Sequence, residues 1–186
     1  MLLNGVRNAA IATARKGGEQ EMERAMAVSL RESLQVVSDP KNLDATVEEV
    51  FKLMLGIECA RDGGPAVLEP ESVTAVVGFG GLLSGACLFK SGSPAAMSIA
   101  GFMTGMEFGE VDDTVKDGIG EICNMLAGAW KGKVPDLAAN CGLSIPAVIT
   151  GRDYNLHVQA PEFKLVHTYR FAGGTFEVTI ICDGLQ

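Results

Sequence analysis

Positive charge is in short supply. The chain carries 15 Lys and Arg against 23 Asp and Glu, giving a net charge of −8 and an isoelectric point near 4.8. Such a surface repels nucleic-acid phosphates rather than neutralising them, so the balance excludes nucleic acid and favours protein partners. Cysteine is sparse and unpaired in pattern: Cys59, Cys87, Cys123, Cys141 and Cys182 form no CxxC spacing and are odd in number. Neither a zinc site nor a disulfide framework follows, and a reducing cytoplasm fits. Long apolar runs are missing as well. Ala75–Phe89 is interrupted by Gly78, Gly80, Gly81, Ser84 and Gly85, and it falls short of the roughly 20 residues needed to span a bilayer. The opening MLLNGVRNAAIATARK is broken by Arg7 and leads into no signal-peptide core. A cytoplasmic chain with no membrane segment is expected. What is present, 47% apolar residues in a chain of 186, suffices for one sizeable core.

Periodicity divides the chain into blocks. Residues 1–43 read as an N-terminal extension, partly helical, whose RKGGEQEMER stretch has the composition of a solvated linker. A helix over 21–37 is expected to stop at Asp39-Pro40. DATVEEVFKLMLGIECA reads as the next helix, with Asp44 or Thr46 as cap, and begins a domain over 44–186. SVTAVVGFGGLLSGACLFK then gives two buried strands around Gly80-Gly81. Helix returns with Ser93 as cap and Pro94 at its first position, and again from Asp112 or Asp113 to about Lys131, ending at Gly132 and Pro135. Residues 141–154, 162–171 and 175–182 read as strands. Helices and hairpins in blocks predict an α+β domain with helices packed on a largely antiparallel sheet, a doubly wound sheet being the alternative.

There is an internal echo. A shift of 72 positions lays IGEICNMLAG (119–128) over VEEVFKLMLG (47–56), matching Glu121 with Glu49, Asn124 with Lys52 and Gly128 with Gly56. A glycine-rich hairpin follows each helix, so a duplicated helix-plus-hairpin arrangement is expected, with the Glu and Asn pair in the second copy alone.

That pair has a direction. At about 100° per residue, with Val115 set to zero, Ile119, Ile122, Leu126, Ala129 and Trp130 cluster as a buried stripe. Asp117, Glu121, Asn124 and Gly128 fall between roughly 180° and 240°, facing away from it. Gly120 and Gly128 remove bulk from the polar face at a helical cost of about 0.5–1 kcal/mol each, which points to close approach by a partner. By spacing alone the pair reads first as solvated residues. As chemistry, a carboxamide can orient water without being basic enough to deprotonate it, much as a glutamine does in small GTPases. A carboxylate beside it would repel phosphate but attract a lysine. The pair is therefore complete only if phosphoryl group, metal and lysine arrive on another molecule.

VTAVVGFGG and SGACLF, DGIGEICNMLAGAWKGK, LSIPAVITG and FAGGTFEVTII, in that order, resemble the CheX/CheC/FliY group of chemotaxis phosphatases, most closely CheX, over about residues 44–182. The resemblance implies a protein phosphatase acting on the phosphoaspartate of a CheY-type response-regulator receiver in two-component signalling. Glu121 would engage the receiver's lysine and Asn124 would orient the attacking water, with Asp117, Gly120, Met125 and Gly128 at the contact. It implies no cofactor on this chain, Mg2+ on the receiver, and a homodimer with one site per subunit, since Lys52 replaces the amide in the first copy. The alternative is a non-catalytic receiver-binding module or flagellar-switch or sensory adaptor.

Other candidates are weaker. His157 and His167 lack a Ser, Cys or carboxylate array. Cys123 lies at the edge of the buried stripe and reads as core. GFGG is too short for a phosphate loop. Met97, Met103, Met106 and Met125 suit packing by their helical spacing, an adaptable contact surface being the alternative, and Trp130 anchors its helix.

Overall fold

The structure, a computed structural model, describes residues 32–64, 71–152, 154 and 161–185. The chain divides into two units, 1–35 and 36–186, and the second carries the fold considered below. Residues 32–38 are helical, Asp39 interrupts, and helix α1 runs Pro40–Leu55. Asp39-Pro40 thus both ends one helix and starts the next. Asp39 caps α1 by accepting from the Lys41 N–H at 2.9 Å, and Pro40 supplies the preset φ of a first turn. Asp44 and Thr46, the expected caps, lie inside α1, where the Thr46 hydroxyl donates to the Asn42 carbonyl at 2.7 Å.

After α1 the chain forms β1 (Ala60–Asp62), β2 (Glu71–Gly81), β3 (Leu83–Gly92), α2 (Ser93–Thr104), α3 (Asp113–Gly132), α4 (Pro135–Asn140), β4 (Cys141–Leu143), β5 (Ala147–Arg152), β6 (Phe163–Phe171) and β7 (Gly174–Leu185). Ser93 is the first residue of α2 rather than its cap, a place held by Gly92 with no side-chain bond. The helix read over 44–60 stops at Leu55, where Gly56 adopts a left-handed φ of 66°, and Ala60 opens the strand β1; neither β1 nor α4 was read from the sequence. The region of His157 lies outside the described residues, as does the predicted helix before residue 32. Among the described residues no helix is long and apolar enough to cross a membrane.

All seven strands form one antiparallel sheet, ordered β1-β6-β7-β3-β2-β4, with β5 also pairing β2. This is an α+β fold, as expected. Its order has a symmetry the sequence only hinted at. The two hairpins, β2-β3 and β6-β7, meet through their second strands, β3 and β7, at the centre. The short strand β1 after α1 pairs with the second hairpin, while β4 and β5 after α3 pair with the first. Exchanging the two halves reproduces the order, which is what a duplicated helix-plus-hairpin unit gives.

The halves share one core. Phe51 of α1 stacks on Phe176 of β7 at 4.5 Å between ring centroids, and Phe176 on Phe89 of β3 at 4.9 Å. Trp130, fully buried, lies against Phe79 at 5.3 Å and anchors α3 to β2. Asp44 ties α1 to strands β6 and β1. Its Oδ1 accepts from the Tyr169 hydroxyl at 2.8 Å and lies 2.8 Å from His167 Nδ1, while its Oδ2 pairs with Arg61 at 3.2 Å. Burial, then the Asp44 hydrogen bond, hold the Tyr169 phenol well above its ordinary range. His167 is a buried structural residue.

Candidate functional site

Helix α3 starts where an acidic cap would put it. The Asp112 carboxylate accepts from the Val115 N–H at 2.9 Å, and Asp113 in the first turn suits the positive end of the helix dipole. Asp113 also takes a hydrogen bond from Lys116 at 2.9 Å, which lowers its pKa. Val115, Ile119, Ile122, Leu126 and Trp130 are fully or almost fully buried, so the stripe read from the sequence is the face laid on the sheet. Ala129, expected in that stripe, is half-buried at its margin. Cys123 is core: its thiol lies 3.4 Å from the Cys87 carbonyl and 3.6 Å from that of Ala75.

The flanks of α3 are closed by two different neighbours. On one side Gly118 lies against α2, where an added methyl would sit 3.4 Å from Met103 Sδ and 3.7 Å from Ala100 Cβ. On the other, a methyl at Gly120 would stand 3.3 Å from Pro146 Cβ and 3.5 Å from Val148 Cγ2. Gly120 is therefore buried, and the close approach it permits is made by this chain itself. It does not share the open face on which the sequence reading put it. Gly128, half-buried, gives room in the same way to Leu143, 3.9 Å from where its methyl would be.

Between those flanks a strip of α3 remains open. Asp117 and Glu121 are exposed, and Asn124 and Met125 are half-buried. Among the described residues, the side chains of Glu121 and Asn124 have no hydrogen-bond or ion-pair partner. Three residues of helical rise separate them by about 4.5 Å along the axis. A carboxylate and a carboxamide thus stand on a rigid, twenty-residue helix with their polar atoms uncommitted. Their counterparts by the internal echo differ: Glu49 is held by Lys133 at 2.7 Å, and Lys52 replaces the amide. Among the described residues, no group of three or more His, Cys, Asp or Glu is placed to hold a metal ion.

The family model described as "Chemotaxis phosphatase CheX" matches residues 73–168, which include the open strip. The chain belongs to the CheX family. The CheY-P phosphatase CheX of Thermotoga maritima is 30% identical over 119 residues, covering 61% of this chain and 76% of that protein. Solved structures share the fold at lower identity. A CheC-like superfamily protein from a Shewanella species aligns with TM-score 0.66 and 20% identity, over 77% of this chain and 96% of that one. CheX from Borrelia burgdorferi, solved in a CheX-CheY-BeF3-Mg2+ complex, aligns with TM-score 0.61 and 20% identity, over 76% and 96%.

One feature beside the open strip was not legible in the sequence. Residues 141–154 read as strand, but Ser144, Ile145 and Pro146 interrupt it between β4 and β5, and Pro146, with Leu143 before the break and Val148 after it, closes that flank of α3. A proline before a run of β-branched residues was the available signal.

Proposed function

We propose that this chain hydrolyses the phosphoaspartate of a CheY-type receiver, with Glu121 contacting the receiver's lysine and Asn124 orienting the attacking water. The observation that carries the reading is the open strip, where a carboxylate and a carboxamide stand uncommitted between closed flanks on a rigid helix. Family membership supports it, as do the name of the Thermotoga relative, a CheY-P phosphatase, and the Borrelia complex of CheX with CheY. In the reaction the water oxygen bonds to phosphorus and the bond to the aspartyl oxygen breaks. The aspartate leaves as a carboxylate, and inorganic phosphate keeps the water's protons. Asn124 contributes geometry, accepting from the water and donating to its surroundings so that a lone pair points in line. Glu121 contributes docking and register. Mg2+ belongs to the receiver, and this chain acts as a homodimer.

Phosphorylated receivers from the same cell, followed for phosphate release with and without the protein at fixed Mg2+, test the proposal. Asn124→Ala should fold normally and lose about a hundredfold or more in stimulated decay, the scale of misplacing a reacting group. Binding with no acceleration by the wild type would instead make the chain an adaptor.

A further inference from the structure

Apart from the half-buried Met125, the open strip of α3 offers a partner polar side chains. Exposed charge pairs add little net affinity, and a complex needs apolar contact near its centre to offset the cost of association. The wall beside the strip supplies such a contact. Leu143 lies against Gly128 and Pro146 against Gly120, so residues 143–146 run alongside α3 in the opposite direction. Two turns of helix, about 12 Å, are thereby matched by three extended residue steps. Ser144 and Ile145 consequently fall level with Asn124.

Ser144 is exposed but tied to β2. Its backbone N–H donates to the Gly78 carbonyl at 3.0 Å, and its Oγ accepts from the Gly78 N–H at 2.9 Å. Ile145 is turned out, with 88% of its surface exposed, the most of any large apolar side chain among the described residues. A single exposed isoleucine is unremarkable on a protein surface. This one is held on both sides, by two hydrogen bonds at Ser144 and by Pro146 packed on Gly120, and its β-branched side chain is stiff at χ1. Little ordering cost would remain to be met on binding.

We infer that Ile145 is an apolar docking contact for the receiver, seated beside Asn124 so that hydrophobic burial fixes the register in which the polar pair meets the phosphoaspartate. This rests on the proposed function and extends it to a residue outside the Glu and Asn pair. The occupant is the receiver because Ile145 is continuous with the strip the receiver must cover for Asn124 to reach a phosphoryl group. It assigns affinity to Ile145 and chemistry to Asn124, so the two should separate in kinetics.

The test titrates wild type, Ile145→Ser and Ile145→Leu against a receiver held active by beryllofluoride and Mg2+, alongside steady-state dephosphorylation and sedimentation of each variant alone. Ile145→Ser should raise Kd and KM by about tenfold or more, the effect of losing a buried aliphatic side chain, with kcat nearly unchanged. Ile145→Leu should bind close to wild type. Wild-type affinity in Ile145→Ser, while wild type binds and hydrolyses, overturns this inference alone. A change in oligomeric state with receiver affinity intact also overturns it, assigning Ile145 to a second copy of the chain. Failure of the wild type to bind any receiver overturns it together with the proposed function.

Discussion

Glu121 is exposed and Asn124 is half-buried, although they are three residues apart on one helix. Asn124 lies on the i±4 row between Gly120 and Gly128, the positions that Pro146 and Leu143 approach, whereas Glu121 lies on the next row. On the proposed function this difference suits them to different parts. A half-buried amide has fewer orientations and is suited to holding a water, whereas an exposed carboxylate can follow a partner's lysine as it docks. Glu121→Gln keeps shape and removes charge. It should raise KM for the phosphorylated receiver by about tenfold, more at low salt than at high, with a smaller effect on kcat. Equal losses in kcat and kcat/KM, as foreseen for Asn124→Ala, would move Glu121 from docking to the transition state.

At the scale of the element, α3 shows how a helix is kept accessible while packed on three sides. Its core stripe was legible because the 3.6-residue period of Val115, Ile119, Ile122, Leu126 and Trp130 is a local property. The meaning of its glycines was not. Gly118 and Gly120 permit α2 and the β4–β5 connection to approach, and those neighbours are distant in sequence. Gly120→Val should be destabilising by about 1–3 kcal/mol in urea unfolding, because its methyls would enter space held by Pro146 and Val148. Displacing that wall should also weaken receiver binding. An unchanged unfolding midpoint would show that the connection yields freely and is not a rigid wall.

At the scale of the whole molecule, the interior is rich in neutral thiols. Burial, then Glu48, push Cys59 up to about 12. The hydrogen bond with Cys123, then burial, hold Cys87 well above its ordinary value, and burial raises Cys182. An unfolded thiol ionises near 8.5, so the stability these groups contribute is fully present below that pH. It is lost as pH rises towards the folded values, by about 1.4 kcal/mol per pH unit for each thiol. Urea midpoints measured from about pH 8 to 11 should therefore fall for the wild type and fall less steeply for Cys59→Ala. A flat wild-type profile would contradict it. The same interior joins the two halves of the sheet through β3 and β7, and the exchange of β1 with β4 and β5 closes each half on the other.

By itself the sequence determined what depends on near neighbours. The stripe of α3, an acidic cap at Asp112 or Asp113, the two hairpins and the outward direction of Glu121 and Asn124 all follow from periods of a few residues. Sequence spacing also showed that the first copy lacks the amide, since Lys52 stands there. Only the tertiary structure decided what depends on residues far apart in the chain. It moved Asp44 from a cap to a bond with Tyr169, buried Gly120 under Pro146, and left Ile145 exposed between the two residues that meet Gly128 and Gly120. It also turned a weak echo between two helices into a sheet whose order is symmetric about its centre. Periodicity fixes which way a side chain points from its own helix, but the space it points into is made by strands and loops that no local pattern encodes.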